Sequence, residues 1–172
     1  MKLFLDTNVI LEYLEARSEY LYVKHIFDDI EDGKHEAYIS TGSVYTLTYL
    51  ILSALKRNRI YRPEQIIESR KILNNIMHLI HVIDLKHESI VSAINDEHFT
   101  DLEDSYQYRC ALEHKCDVLI TINTKDYKDT NNNCYTRLIS KTICRKHFVN
   151  QIHRQRPQCI GLAGRSISGQ HR

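Results

Sequence analysis

No two cysteines in this chain stand at C-x-x-C spacing. The five present, Cys110, Cys116, Cys134, Cys144 and Cys159, are odd in number and irregularly placed. Neither a zinc site nor a disulfide framework is expected from them, and they read as reduced thiols. No apolar run approaches the roughly twenty residues that a membrane-spanning helix needs, so no bilayer crossing is expected. Met1-Lys2 leads straight into a strand pattern, without the cationic, apolar and small-residue regions of a secretory signal, and the cytoplasm is the expected compartment. The histidines are scattered, and His78, His81 and His87 read as surface positions rather than metal ligands. Acidic residues are missing from two stretches: none occurs between Ala37 and Asn58, and none after Asp129.

The second of these gaps divides the chain electrostatically. Arg137, Lys141, Arg145, Lys146, Arg154, Arg156, Arg165 and Arg172 put eight positive charges on the tail, which leaves residues 1–129 at −7 within a total of +1. An acidic body carries a basic tail. A length of 172 residues with 42% apolar composition is enough for one globular domain with its own core.

Along the body, strand and helix patterns alternate: strand 2–5, helices 8–16 and 19–32, strand 37–40, helices 43–57 and 63–77, an apolar segment 80–84, helices 86–95 and 102–114, and strand 117–121. That alternation predicts an α/β fold, a three-layer α/β/α sandwich around a central, mostly parallel sheet. Gly33 is placed to end a helix in a left-handed conformation, and Pro63 to occupy a helix's first turn. The basic run Lys56 to Arg62, with Tyr61, reads as a solvated helix end, with RNA phosphates as the alternative contact. Asp129 to Asn133 is a turn-rich break. Beyond it, Lys141 to Ile152 has helical character, and the residues after Pro157 have neither period nor caps.

Asp6 stands where an apolar strand gives way to a helical pattern. It is either a helix N-cap or a ligand at the carboxyl end of a strand, the usual binding edge of an open α/β sheet. A second acidic group, Asp101-Leu102-Glu103-Asp104, opens a later helix. Acids are favoured there by the helix dipole as well as by any ligand role. Thr121-Ile122-Asn123-Thr124-Lys125-Asp126-Tyr127 follows the apolar run Val118-Leu119-Ile120.

The order of Phe4 to Leu11, Ile39 to Ser43, Asp101 to Ala111 and Asp117 to Tyr127 resembles the PIN domain, a family of metal-dependent nucleases. The resemblance covers about residues 1 to 130, and a PIN-like domain is expected over 1–138, followed over 139–172 by a basic, partly disordered helix and tail. It implies an endoribonuclease that hydrolyses RNA phosphodiester bonds with Mg²⁺ or Mn²⁺, hard cations that carboxylates at an open cleft hold without a closed cage. Asp6, Asp104 and Asp126 are then the catalytic acids, with Asp6, Asp104, Asn123 and Asp126 as metal ligands. Asn8, Thr46, Asp101, Glu103 and Thr121 support them, with Thr124 as a further water-orienting hydroxyl. The family's role as toxins implies an antitoxin protein and a homodimer alongside RNA. At one point the chain departs from the pattern: Thr46 stands where the family usually has a glutamate. That loss keeps open a second reading, a weak or inactive PIN-like module that binds RNA or protein. A third, an aspartate-dependent phosphohydrolase, wants a second aspartate two residues after Asp6, where this chain has Asn8.

Overall fold

A computed structural model describes residues 1–123, Tyr127 and the backbone of 135–136. Its elements in chain order are β1 (Lys2–Leu5), α1 (Thr7–Leu14), α2 (Tyr20–Glu31), β2 (Glu36–Ser40), α3 (Thr41–Arg57), α4 (Glu64–Met77), β3 (Ile80–Ile83), α5 (His87–Ile94), α6 (Leu102–Glu113), β4 (Val118–Ile120) and β5 (Tyr135–Thr136). The expected boundaries agree to within one or two residues through β4, while the β5 bridge has no counterpart in the sequence reading. The apolar segment after α4 became a strand because its backbone pairs with β2 from Ala37↔Ile80 to Ser40↔Ile83. The expected C-terminal helix, the tail, Thr124 and Asp126 lie outside the described residues.

All strands run parallel in the order β3-β2-β1-β4-β5. Parallel strands need crossover connections, which place helices on both faces. Side chains of β1 alternate accordingly. Leu3 and Leu5 enter a core shared with Val9, Ile10, Val23, Phe27, Leu47, Ile51 and Leu55 of α1 to α3, whereas Phe4 enters the opposite core with Phe99, Tyr108, Ala111, Leu119 and Tyr127. Ala37 and Ile39 against Tyr38, and Val118 and Ile120 against Leu119, repeat that division. The result is the three-layer α/β/α sandwich read from the sequence.

Of the two local signals, Gly33 acts where it was expected and Pro63 does not. Gly33 takes φ +71°, and the N–H groups of Gly33 and Lys34 close α2 on the carbonyls of Ile30 and Asp29, both at 2.9 Å. Pro63 stands one residue before α4 rather than inside its first turn. The Lys56 to Arg62 patch is an exposed helix end, apart from half-buried Ile60. Glu12 is a buried carboxylate on α1, and it accepts the N–H of Glu19 at the start of α2.

The strand order reverses between β1 and β4: the chain first moves outward from β1 to β2 and β3, then crosses back to β4 on the other side of β1. In open α/β sheets the crevice beyond the carboxyl ends of the strands at such a reversal is the binding edge. Asp6 follows β1 there, and Thr121 follows β4.

Candidate active site at the sheet edge

Asp6 is fully buried and does two things at once. Its Oδ1 accepts the N–H of Asn8 at 3.1 Å, which makes it the N-cap of α1, and its Oδ2 accepts the hydroxyl of Thr121 at 2.6 Å. The cap and ligand readings are therefore compatible, because each carboxylate oxygen carries two lone pairs and a cap uses one. Burial pushes the Asp6 carboxyl above its usual range, against the opposing pull of hydrogen bonds from Thr121, Asn8 and Gln107.

From Thr121 a chain of hydrogen bonds runs to the second acidic group. The hydroxyl of Thr121 accepts the N–H of Asn123 at 3.0 Å, and Asn123 Nδ2 donates to Asp104 Oδ2 at 3.3 Å. Tyr127 donates its hydroxyl to Asp104 Oδ1 at 3.2 Å. Asp6, Thr121, Asn123 and Asp104 thus form one polar cluster drawn from β1, β4, the segment after β4 and α6.

The acids that open α6 have separate fates. Asp101 is a local cap: it accepts the N–H of Glu103 at 2.8 Å. Glu103, one residue before Asp104, turns to the other side of the cluster. Its Oε1 accepts the Thr7 hydroxyl at 3.0 Å. Burial, followed by the charges of Asp6 and Asp101, raises the Glu103 carboxyl against the hydrogen bonds from Thr7 and Thr46. Asn8 is exposed and meets Asp6 through its backbone N–H and its side chain.

Gln107 and Thr7 belong to the cluster, and Gln107 has no signal in the sequence reading. Buried on α6, Gln107 accepts the N–H of Thr7 at 3.2 Å and contributes a hydrogen bond to Asp6, so it clamps the turn between β1 and α1. Its spacing is the only clue available beforehand: positions three and four residues after Asp104 and Glu103 lie on the same helix face. A glutamine in a helix is ordinarily solvated, so that spacing alone singles out nothing.

A divalent cation of the Mg²⁺ class takes oxygen ligands and retains water. The donors gathered here are the carboxylates of Asp6, Glu103 and Asp104, the Asn123 amide oxygen and threonine hydroxyls, all of them oxygen. Asp6 and Glu103 also raise the cost of each other's charge, which a cation would relieve. Among the described residues no three His, Cys, Asp or Glu side chains form a group that could hold a metal ion. What fits such a cation is the chemistry of the donors, which are oxygen throughout.

A family model described as the PIN domain matches residues 2–125. Among solved structures, VapBC2 from Rickettsia felis, bound to a DNA fragment from their promoter, is similar to this chain at 15% identity and a TM-score of 0.54, covering 74% of this chain and 92% of that one. FitAcB from Neisseria gonorrhoeae is similar at 20% identity and a TM-score of 0.53, covering 73% of this chain and 90% of that one. At such identities the likeness is one of fold. No curated protein sequence matches the chain.

Proposed function

We propose, from the premise that this chain belongs to the PIN domain family, that it is a Mg²⁺- or Mn²⁺-dependent endoribonuclease and the toxin of a toxin–antitoxin pair. The observation that carries this reading is the hydrogen-bonded path from Asp6 through Thr121 and Asn123 to Asp104, laid across the strand-order reversal of the sheet. Two carboxylates more than ninety residues apart in sequence are held in one polar cluster at the edge where this kind of fold binds ligands.

Asp6 and Asp104 would hold the cation, with Asn123 beside them, and Asp126 is the fourth member of the proposed set. When bound, the cation supplies a water acidic enough to attack at neutral pH and offsets the charge that grows on the phosphate. The chain's own groups do the positioning. Thr121 and the Asn8 N–H fix the rotamer of Asp6, while Tyr127 and Asn123 aim Asp104. Thr121 also accepts the N–H of Asn123, and its hydroxyl donates over 2.6 Å to Asp6, with the Asn123 carbonyl at 3.4 Å as the longer alternative acceptor. Such locking keeps the carboxylates from swinging apart under mutual repulsion before a cation arrives.

RNA is the proposed substrate, and the basic tail is its proposed electrostatic attractor, since cationic segments draw in phosphate backbones independently of sequence. The named solved structures VapBC2 and FitAcB support an antitoxin partner, here a peptide laid across the acidic cleft. A homodimer formed through the apolar faces of the early helices, with the cytoplasm as compartment, completes the reading.

Asp104→Asn tests it. The variant keeps an oxygen acceptor for Tyr127 or Asn123 while removing a negative charge. It should lose about 3 kcal/mol of transition-state stabilisation, about a hundredfold in rate, when single-stranded RNA is incubated with Mn²⁺ and the fragments are resolved on a gel. Cleavage by the variant at the wild-type rate would remove Asp104 from the mechanism.

One observation favours a second reading, a PIN-like module that binds RNA or protein without cutting: Thr46 brings a neutral hydroxyl where the family usually has an acid. Calorimetric titration with Mn²⁺ separates the two readings. The nuclease takes up the ion saturably, and the binding module does not.

A further inference from the structure

We propose that the outward face of α3, with the segment that follows it to Arg62, is a track for single-stranded RNA, in which Tyr45, Tyr49 and Tyr61 stack on bases and Lys56, Arg59 and Arg62 hold phosphates. Stacking and phosphate contacts read no 2′-hydroxyl, so the inference rests on the RNA reading above for its choice of strand; it needs no metal ion.

The three most exposed large apolar side chains among the described residues are all tyrosines, and all belong to this stretch: Tyr45 at 73%, Tyr49 at 70% and Tyr61 at 58%. Leu47, Ile51, Ala54 and Leu55 anchor the opposite side of α3 in the core, so packing asks for no aromatic residue outward. Tyr45, Tyr49 and Lys56 are four and seven residues apart. That spacing sets them within about 40° of one another around the helix axis, over about 16 Å of its length. A single exposed apolar residue is ordinary on any surface. Aromatic rings interleaved with cations along one face are what a single strand uses, because every base has a face to stack and every phosphate a charge.

Charge sets the occupant. No acidic residue occurs from Ala37 to Pro63, while Lys56, Arg57, Arg59 and Arg62 give that stretch four positive charges within residues 1–129, whose total is −7. Arg57 lies 4.0 Å from Glu15, but Lys56, Arg59 and Arg62 form no ion pair among the described residues. Elsewhere Lys24, Lys34, Lys71 and Arg109 are each held by a carboxylate. An apolar protein surface laid on this face would strip water from unpaired cations, which is costly, whereas a polyanion with flat bases satisfies rings and charges together. The track also leads to the site. α3 starts directly after Ser40 at the carboxyl end of β2, the strand beside β1, so its first turn borders the sheet edge where Asp6 sits and its last turn carries the cations.

The test reads binding without cleavage. Fluorescence anisotropy of the full chain is followed in EDTA with a labelled single-stranded RNA of about twelve nucleotides, within the span such grooves cover. The basic tail is common to every variant. Tyr45→Ala/Tyr49→Ala should weaken binding by about tenfold or more, and Tyr45→Phe/Tyr49→Phe, which keeps both rings, should bind as the wild type does. Lys56→Ala/Arg59→Ala/Arg62→Ala should flatten the logarithmic salt dependence by about two, while the tyrosine variants leave that slope unchanged. A duplex of the same sequence, whose bases are already stacked, should bind without regard to the tyrosines. Wild-type affinity in the alanine pair, an equal loss in the phenylalanine pair, or an equal loss with the duplex would overturn the inference. So would a changed oligomeric state of the alanine pair by sedimentation with its RNA affinity intact, which would assign the face to a protein contact. Each of these leaves RNA binding by the wild type standing; no binding by the wild type would remove the RNA reading, and this inference with it.

Discussion

Asp6→Asn is expected to abolish RNA cleavage while leaving the fold as stable as the wild type or more so. The two effects have one origin. Asp6 is wholly buried, and desolvation holds its carboxyl above the ordinary range, so folding carries a penalty for the charge at neutral pH. A carboxyl whose folded pKa is raised favours the folded state most below its unfolded pKa, and that contribution is lost as pH rises through the folded pKa. Asparagine carries no charge, so the variant escapes the penalty. It can still accept the Asn8 N–H, since Asn and Asp cap helices about equally well. The Thr121 hydroxyl can accept from an asparagine amide as it already accepts from the Asn123 N–H. What the substitution removes is an anionic oxygen at the cation site. A loss of several kcal/mol of charge stabilisation corresponds to about a thousandfold in rate. Melting temperature measured at pH 5 and pH 8 should show a wild-type deficit relative to Asp6→Asn that widens toward pH 8. A variant that cuts RNA as the wild type does, or one whose advantage shrinks with rising pH, would contradict the roles given to this residue.

The second large effect is expected in the core. Phe4 is fully buried on β1, the central strand, and it faces the opposite layer from Leu3 and Leu5. Its ring belongs to the cluster that contains Phe99, Tyr108, Leu119 and Tyr127, in which Phe99 meets Tyr108 and Tyr127 at ring separations of 5.4 and 5.6 Å. Phe4→Ala removes the ring and leaves a cavity that a sheet paired on both sides cannot collapse to fill, at a cost of about 3–5 kcal/mol. Against a typical total of about 5–15 kcal/mol, that is enough to leave the domain marginal. Urea unfolding should show the midpoint falling steeply with little change in slope. Tyr49→Ala, at a side chain 70% exposed on α3, should stay within about 0.5 kcal/mol of wild type. Because Tyr127 shares the Phe4 cluster and also holds Asp104, Phe4→Ala should further reduce Mn²⁺-dependent cleavage below the temperature at which the variant unfolds. Equal stability of Phe4→Ala and Tyr49→Ala would show that the layer beneath β1 is not the core described.

How much of this was legible beforehand depends on the range of the interaction. The strands at Lys2–Leu5, Glu36–Ser40 and Val118–Ile120, the helix stop at Gly33 and the capping position of Asp6 rest on periodicity and on contacts between residues a few positions apart. A propensity or a cap is a property of a short stretch of chain, and the sequence states it directly. The parallel layered architecture follows from the alternation of strand and helix by the same logic. Asp6 and Asp104 were also visible, because Asp6 opens a helix at a strand end and Asp104 stands in the first turn of another, each within a recognisable motif.

What the sequence by itself determined, then, is the order and kind of the elements, the layered fold they imply, and the candidate acids at their ends. Only the tertiary structure decided which of those acids share a surface. Asp101 and Glu103 are two residues apart and chemically alike, yet one caps its own helix while the other accepts the hydroxyl of Thr7 on α1. Gln107 became a clamp on the Thr7 N–H, and Thr121 a link between Asp6 and Asn123, for the same reason. The contacts of Gln107 and Glu103 with Thr7, and of Thr121 with Asp6, join residues about a hundred positions apart or more, and that of Thr121 exists because the reversal of strand order sets β4 beside β1. A hydrogen bond depends on distance and angle in space, and neither is encoded in the local pattern of a chain until the sheet has brought its ends together.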